Sequence, residues 1–316
     1  MERDPLPHLA TSTSLPGGEL SQHPAIAFVT SLRPDQWTKN LLVFAGIIFG
    51  QRLLEPALFA SSVVAFAVFC GLSSAMYLIN DVVDREEDQR HPIKSRRPIA
   101  SGTISTGTAM IGAASLAGSA LVVAFWLGRP FGLVAVAFVS LLALYSKVLK
   151  HVVILDVFTI AAGFVLRAVA GAIAVAVPIS QWLLVCTMLL ALFLALAKRR
   201  HELVLLGDEA SGHRRALAEY SSQLLDQLIS IVAAATVVSY AFYTVEPATV
   251  EKFSTDLLTL SVPFPVYGVF RYLYLIHRQN GGDSPALILL RDRPLLACVM
   301  LWAGAIVLII YWPFGW

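Results

Sequence analysis

The sequence predicts an all-α protein that crosses a membrane many times. Of its 316 residues, 57% are hydrophobic and only 14% are charged, a balance that is foreign to ordinary soluble domains. Apolar runs of about 20 residues, the length that spans a bilayer as a helix, recur between short stretches of charge, proline or glycine. The chain is therefore predicted to be a polytopic bundle of transmembrane helices.

Nine apolar runs are predicted to span the membrane. Their approximate boundaries are 36–51, 57–80, 106–127, 130–147, 154–176, 181–203, 223–245, 257–277 and 294–313. The first run is short when counted from Leu41, so we expect it to begin as an interfacial helix near Trp37. Residues 1–24 lack an apolar run and are predicted to be a flexible tail. Residues 25–316 are predicted to form one transmembrane domain.

The basic residues lie mostly on one of the two faces that nine spans define. All but four of the 23 lysines and arginines fall on the face that carries the N-terminus; the exceptions are Arg52, Arg129, Lys252 and, within a span, Arg167. The positive-inside rule places this basic face in the cytoplasm. We therefore expect an active site there to open to the cytosol.

Two further features narrow the class of protein. Cys70, Cys186 and Cys298 are isolated within apolar runs, so neither a disulfide framework nor a zinc site is indicated. The formal net charge of +2 is too small to indicate a nucleic-acid partner.

The most distinctive segment is the acidic stretch that ends the second run. It reads Y-L-I-N-D-V-V-D-R-E-E-D from Tyr77 to Asp88. If the helix continues through it, Asp81, Asp84 and Asp88 fall on one face with Asn80 beside them. Oxygen ligands on one helix face suit Mg²⁺, which usually binds one or two carboxylates together with phosphate oxygens. The stretch therefore predicts catalytic carboxylates and a Mg²⁺ site for a phosphate ester, the alternative being a cytoplasmic loop of mixed charge.

Cations follow within about ten residues. Lys94, Arg96 and Arg97 could contact phosphate groups, and Pro98 and Gly102 would bend the segment back toward the acidic helix end.

These motifs resemble those of a known superfamily. The N-D-x-x-D-x-x-x-D run at 80–88 and the K-x-x-R-P-I-A-x-G run at 94–102 are similar to the first signature of the UbiA-type intramembrane prenyltransferases. Within that superfamily the chain most resembles the decaprenyl-phosphate phosphoribosyltransferase branch. That resemblance rests on R-P-D-Q-W-T-K-N (33–40), Y-S-K-V-L-K-H (145–151), A-A-G-F-V-L-R-A-V-A-G (161–171) and F-R-Y-L-Y (270–274).

The resemblance implies a fold, an activity and partners. It implies a UbiA-like bundle around a cytosol-facing cavity in a bacterial-type plasma (inner) membrane. The implied reaction is Mg²⁺-dependent transfer of 5-phosphoribose from phosphoribosyl pyrophosphate to a polyprenyl (decaprenyl-like) monophosphate, for cell-envelope precursors. The resemblance does not fix the oligomeric state, and a homo-oligomer is one of the alternatives. The residues expected to bind substrate are Lys39, Tyr77, Lys94, Arg97, Tyr145, Lys147, Lys150, Asp156, Arg167, Arg199 and Arg200.

One departure from the superfamily concerns the end of the sixth run. Prenyl-diphosphate users carry a second D-x-x-x-D motif at this place, whereas this chain has K-R-R-H-E at 198–202. Opposed acidic and basic clusters suit a donor with a diphosphate at one end and a phosphomonoester at the other. Charge that ends a membrane span would have the same composition.

The fifth run carries two ionisable residues. Asp156 and Arg167 are 11 residues apart, about 16 Å along a helix, so they cannot pair and each needs another partner. Gly163, Arg167 and Gly171 share one narrow stripe. An intramembrane arginine indicates a functional site, or else a structural role in which backbone carbonyls satisfy it.

Two basic clusters have a simpler alternative explanation. Lys147 and Lys150 follow the fourth run beside Tyr145, where they could bind phosphate or merely obey the positive-inside rule. Arg33 and Lys39 bracket Trp37 as an interfacial anchor would, although the branch resemblance gives Lys39 a donor-phosphate role.

Two other functions fit part of the pattern. A prenyl-diphosphate enzyme that alkylates an aromatic or tetrapyrrole acceptor would use the same first motif. A transporter would also place polar residues inside helices, but here they cluster at one face, and no helix pair broken by glycine or proline is expected at the midplane.

Overall fold

The computed structural model describes residues 24–91, 94–206, 217, 219–278, 288 and 291–312. The predicted tail, apart from Pro24, lies outside these residues. Every regular element in the described part is helical. The α-helices are α1 (Pro24–Ser31), α2 (Ala45–Phe49), α3 (Pro56–Val83), α4 (Arg85–Arg90), α5 (Thr106–Leu127), α6 (Arg129–Lys147), α7 (Leu155–Ala174), α8 (Gln181–Leu206), α9 (Ser222–Val245), α10 (Pro247–Phe253), α11 (Pro263–Arg278) and α12 (Arg293–Tyr311). Short 3-10 helices cover Pro34–Phe44, Lys94–Arg96, Leu149–His151 and Leu257–Ser261.

Among the described residues, seven helices are long and apolar enough to cross a membrane. They are α3, α5, α6, α7, α8, α9 and α12, and their bounds lie within three residues of seven predicted spans. The chain is therefore a multi-pass membrane protein, as predicted.

The other two predicted spans, 36–51 and 257–277, do not form long α-helices. The first consists of the 3-10 helix Pro34–Phe44 and the short α2, because its first half is rich in polar residues. The second consists of the 3-10 helix Leu257–Ser261 followed by α11. Pro263 begins α11 just after the 3-10 helix, since proline has no amide hydrogen to continue the preceding helical turn but is tolerated at the first position of a new helix.

Helix ends follow local sequence chemistry. Ser105, Ser221 and Asp292 precede α5, α9 and α12, and each side chain accepts a hydrogen bond from the first turn, which satisfies an otherwise unpaired amide. Gly128 joins α5 to α6 with φ 143°, a conformation that side chains disfavour. A single residue therefore joins the two helices.

The segment 34–49 runs antiparallel to α3. Trp37 Nε1 donates to Ser74 Oγ (3.0 Å), and Asn40 Nδ2 donates to Cys70 Sγ (3.3 Å). Later in the segment, the Ile48 carbonyl accepts from the hydroxyl of Tyr311 (2.9 Å), at the last residue of α12. The partners on α3 thus move from Ser74 to Cys70 and then to Phe66, whose ring centre lies 5.7 Å from that of Phe44.

This segment also crosses α7 at very short range. A Cβ atom at Gly171 would lie 1.9 Å from the Val43 carbonyl oxygen, and one at Gly46 would lie 2.5 Å from the Ala172 nitrogen. Only glycine permits such an approach between two backbones. Part of the glycine stripe predicted on the fifth run therefore serves packing.

The segment 257–278 runs antiparallel to α9 in the same way. Near its start, the hydroxyls of Ser261 and Tyr240 share a hydrogen bond of 2.7 Å. Near its end, His277 Nε2 lies 3.5 Å from Oδ1 of Asp226, which is near the start of α9. Its two ends therefore lie near opposite ends of the bundle.

Helix α3 is the central helix, and its end positions the charged residues. Of its most apolar window, 61% is buried, against 17% for α5. The outward face of α5 is apolar, with Trp126 79% exposed and Val122 71% exposed, as expected for a helix that faces lipid. We call the end of the bundle where α3 ends and α7 begins the polar end.

Candidate active site

The three predicted carboxylates lie at the polar end, where α3 passes into α4. Asp84 caps α3, and the chain continues nearly helical because Asp84 N donates to Asn80 O and Asp88 N donates to Asp84 O, both at 2.8 Å. Asp81 and Asp88 are buried, and Asp84 is 18% exposed. We call Asp81, Asp84 and Asp88 the acidic stripe.

Each member of the acidic stripe contacts a basic side chain from another segment. Arg97 Nη1 lies 3.2 Å from Asp81 Oδ1 and 2.5 Å from Asp88 Oδ2. The chain after α4 therefore folds back on the stripe, as the sequence predicts, and Gly102 in the returning loop has φ 83°.

The other two cations come from distant parts of the chain. Arg33 Nη2 lies 2.5 Å from Asp81 Oδ1, and Lys150 Nζ lies 2.7 Å from Asp84 Oδ1. Arg33 also stacks on the predicted substrate residue Tyr77, with its guanidinium carbon 4.7 Å from the ring centre. In the described part of the chain, three basic side chains thus contact the three carboxylates of the stripe. Their positive charges offset most of the repulsion between the carboxylates.

The oxygen atoms of the acidic stripe are the predicted ligands of Mg²⁺. Within the described ranges, no group of three or more acidic, histidine or cysteine side chains is arranged to hold a metal ion. The carboxylates instead contact basic side chains, and Asn80 Nδ2 donates to Asp84 Oδ2 at 2.8 Å. Mg²⁺ needs only one or two carboxylates when phosphate oxygens and water complete its shell. The residues therefore fit a metal ion that binds together with a phosphate ligand.

The predicted interior arginine, Arg167, is buried and has several partners. Its Nε donates to Asn40 Oδ1 at 2.6 Å, and its Nη1 donates to the Gly163 carbonyl at 2.9 Å. The guanidinium carbon lies 4.6 Å from the Phe138 ring centre. These contacts match the structural role that the sequence left open. Lys39, next to Asn40, is half-buried.

The basic run of α8, residues 198–200, is engaged with acidic side chains. Arg199 is 1% exposed; its Nε lies 2.8 Å from Asp156 Oδ2, and it also pairs with Glu202. Arg200 pairs with Asp226 on α9. The sequence-based expectation that Asp156 and Arg167 find separate partners is consistent with these contacts.

Two tyrosines complete the surroundings of Asp156 and Arg199. Arg199 Nη2 donates to the predicted substrate residue Tyr145 at 3.3 Å. The Tyr220 hydroxyl donates to Asp156 Oδ1 at 2.8 Å and accepts from the Ile154 amide at 2.7 Å. Helices α6, α7 and α8 thus meet at one buried polar cluster.

The remaining predicted residues differ in position. Lys147 is exposed, whereas Lys150 is buried against the acidic stripe. Lys94 lines a narrow cleft beside the stripe. The predicted substrate role of each residue stays a prediction.

Sequence reasoning missed the contacts of Arg33 and Tyr220. The sequence pattern around Trp37 predicts an interfacial anchor, whereas Arg33 contacts Asp81, 48 residues later in the chain. The R-P-D-Q-W-T-K-N motif could have signalled this role. No sequence signal distinguishes Tyr220, whose partner depends on how α7 and α8 pack.

Residues 41–292 match the UbiA prenyltransferase family. The chain belongs to this family. Membership identifies it as a membrane-embedded transferase, and the resemblance predicted from the sequence motifs is confirmed.

Relatives of this UbiA family member span nearly its whole length. A decaprenyl-phosphate phosphoribosyltransferase of Mycolicibacterium smegmatis is 34% identical over 298 residues, which cover 90% of this chain and 92% of the relative. One of Corynebacterium glutamicum is 32% identical over 300 residues, 91% of this chain and 87% of the relative. The structure of a UbiA homolog from Archaeoglobus fulgidus bound to GPP and Mg²⁺ superposes with a TM-score of 0.71 at 20% identity, covering 90% of this chain and 99% of that one. This structural similarity shows that the chain has the UbiA fold.

Proposed function

We propose that this protein transfers 5-phosphoribose from phosphoribosyl pyrophosphate to a polyprenyl monophosphate and releases pyrophosphate. The observation that carries the proposal is the 34% identity, over nine-tenths of the chain, to a relative named decaprenyl-phosphate phosphoribosyltransferase. The K-R-R-H-E sequence at 198–202, in place of a second acidic pair, supports it. The product would be a precursor of the cell envelope.

The acidic stripe would hold the metal and the leaving group. Asn80, Asp81, Asp84 and Asp88 would be the Mg²⁺ ligands, with donor phosphate oxygens completing the shell. When bound, Mg²⁺ would neutralise negative charge on the leaving pyrophosphate. Lys39, Lys94 and Arg97 would contact the phosphates and hold the donor in one orientation.

The reaction needs no general base in this proposal. The bond between the anomeric carbon and the pyrophosphate oxygen breaks, and an oxygen of the acceptor phosphate forms the new bond. Because the acceptor phosphate is already an anion, no proton has to leave it. Attack from the face opposite the leaving group would invert the anomeric centre.

The acceptor would reach the site from the membrane. Exposing a polyprenyl chain to water costs about 0.8 kcal/mol per CH₂ group, so the chain is expected to remain in lipid while its phosphate enters a cavity at the polar end. We infer a lateral opening of the bundle for this reason.

We further propose nine crossings, with the polar end facing the cytoplasm across the plasma membrane. The antiparallel paths of 34–49 along α3 and of 257–278 along α9 support two crossings beyond the seven long helices. A cysteine at Ser101 should then label from the cytoplasmic side and one at Glu251 from the opposite side. Labelling of both from the same side would contradict nine crossings.

A transfer assay tests the activity. The purified protein, given Mg²⁺, a short polyprenyl phosphate and phosphoribosyl pyrophosphate labelled in the ribose, should place label in a chloroform-soluble product. The control replaces both substrates with 4-hydroxybenzoate and geranyl diphosphate, for which no prenylation is expected. Aromatic prenylation without lipid-soluble ribose label would overturn the proposal and favour the aromatic prenyltransferase alternative.

A further inference from the structure

The loop between α6 and α7 carries Lys150 to the acidic stripe. We call residues 148–154 the Lys150 loop. The ammonium of Lys150 lies 2.7 Å from Asp84 Oδ1, and the lysine side chain is buried. Three apolar side chains of the loop are exposed, those of Val148, Val152 and Ile154. Because they bury little surface, polar contacts are important for holding this loop in place.

The last residue of the Lys150 loop, Ile154, has a strained backbone. Its φ is 69° and its ψ is −46°, and the Leu155 amide donates to the Val153 carbonyl at 2.8 Å. A hydrogen bond that spans one residue with these angles forms a γ-turn of the rare, strained kind. A positive φ is especially unfavourable for a β-branched residue. Such strain persists only where neighbouring contacts hold it.

The hydroxyl of Tyr220 makes the contact that holds this turn. It accepts a hydrogen bond from the Ile154 amide at 2.7 Å and donates one to Asp156 Oδ1 at 2.8 Å. Tyr220 is buried and precedes α9, so a distant part of the chain fixes both sides of the turn. No other side chain is required to satisfy the Ile154 amide.

Arg199 fixes the two helices on either side of the Lys150 loop. Its Nε lies 2.8 Å from Asp156 Oδ2, near the start of α7. Its Nη2 donates to the hydroxyl of Tyr145, near the end of α6, at 3.3 Å. The ends of the loop are thus anchored by a buried guanidinium, and the strained turn itself is anchored by Tyr220.

We propose that Tyr220 is a positioning residue for Lys150. Its hydroxyl holds the Lys150 loop in the conformation that places the ammonium beside Asp84, because Lys150 stands only four residues before the Ile154 amide. The inference rests on the proposed function for the use that the reaction makes of Lys150, whereas the placement of Lys150 follows from the contacts of the loop alone.

The chemical reactivity of Lys150 tests its placement without any substrate. The full chain in detergent is treated with an amine-acylating reagent, and the rate at each lysine is measured by mass spectrometry. Tyr220→Phe removes only the hydroxyl, so it should raise the rate at Lys150 about three- to tenfold, as expected for loss of one hydrogen bond. Lys147 is exposed and should react at the same rate in both proteins.

Tyr240→Phe is the matched control. The Tyr240 hydroxyl is also buried; it shares a hydrogen bond with Ser261 (2.7 Å) and accepts one from Trp302 (2.9 Å). It lies 20 residues after Tyr220, about 30 Å further along α9. The control should lower the melting temperature by a similar amount and leave the rate at Lys150 unchanged. Equal rates at Lys150 in the two variants would overturn the positioning role.

A double-mutant cycle tests whether Tyr220 acts on the reaction through Lys150. Tyr220→Phe should lower kcat/KM for phosphoribosyl pyrophosphate about three- to tenfold, mainly by raising KM. Added to Lys150→Gln, the same change should have an effect of less than about twofold, because coupled residues are not additive. Additive losses would overturn the route through Lys150. A wild-type protein that does not use phosphoribosyl pyrophosphate, but exposes Lys150 in Tyr220→Phe, would overturn the proposed function and retain the positioning role.

Discussion

The acidic stripe and the basic run of α8 are two charged regions at the same end of the bundle, and they differ in burial. The arginines that contact the stripe are partly exposed, Arg33 at 24% and Arg97 at 28%. In the α8 cluster, Arg199 is 2% and Asp156 0% exposed. The arginines around the stripe are thus accessible to a ligand, whereas the Arg199–Asp156 pair is enclosed by the protein.

This difference distinguishes exchangeable charges, whose ion pairs a bound ligand can break, from fixed charges, whose ion pairs the protein encloses. The arginine side of these ion pairs is partly exposed, so Arg33 and Arg97 can turn toward a phosphate, provided that a metal ion takes their place beside the buried carboxylates. Removing one partner of a buried pair costs about 3–5 kcal/mol. We therefore expect substitutions in the acidic stripe to alter activity and substitutions around Arg199 to alter stability.

The largest effect is expected from Asp84→Asn. Turnover should fall by roughly three orders of magnitude, because a proposed metal ligand is lost. The melting temperature in detergent should fall less than for a fully buried pair, since Asp84 is partly exposed and an asparagine side chain can still accept the hydrogen bond from Lys150. Pyrophosphate release, measured with and without EDTA, checks the result. Full activity in EDTA would contradict the metal role.

The next effect concerns the fixed region. Arg199→Met should destabilise the protein by about 3–5 kcal/mol, because Asp156 is left buried without its guanidinium partner. Adding Asp156→Asn should restore much of the loss. Equilibrium unfolding of the single and double variants provides the measurement. If the single variant were as stable as wild type but defective in donor binding, Arg199 would belong with the exchangeable charges.

An intermediate effect is expected from Arg33→Gln. Of its two basic partners in the described part of the chain, Asp81 would keep Arg97. Mn²⁺, used as a spectroscopic substitute for Mg²⁺, should therefore bind roughly tenfold more tightly in the absence of donor. Arg52→Gln is the control, since Arg52 is exposed and pairs with Glu55 away from the stripe. Unchanged or weaker Mn²⁺ binding in Arg33→Gln would mean that Arg33 does not compete with the metal.

The smallest effect is expected from Lys147→Gln. Lys147 is exposed, whereas Lys150, three residues later in the same loop, contacts Asp84. Donor use should change less than about twofold in Lys147→Gln, as is usual for surface positions, and at least about tenfold in Lys150→Gln. Equal effects of the two substitutions would show that the whole loop acts as one phosphate-binding unit.

Most of the fold could be predicted because hydropathy records which stretches are long and apolar. The seven long helices follow from this signal alone. The hydropathy signal fails for 34–49, because polar residues from Asp35 to Asn40 interrupt the apolar run. Contacts with α3 and α7 stabilise this segment instead. Short helices of this kind depend on neighbours that a local pattern cannot identify.

The site could be predicted only in part for a similar reason. Helical spacing groups Asp81, Asp84 and Asp88, since all three lie on one continuous stretch. It cannot reveal that Arg199 meets Asp156, because these residues are on different helices whose adjacency depends on the packing of the bundle. Helical spacing does exclude a direct ion pair between Asp156 and Arg167, because 11 residues place them about 16 Å apart along one helix.

The crossing at Gly171 has a consequence for the temperature range of activity. The backbone of Val43 passes so close that even a methyl group at position 171 would collide with its carbonyl. Gly171→Ala should therefore displace the segment 34–49, and with it Arg33, which directly precedes the segment. We expect the purified variant to lose activity at a lower temperature than wild type, because the collision displaces the backbone far from the acidic stripe.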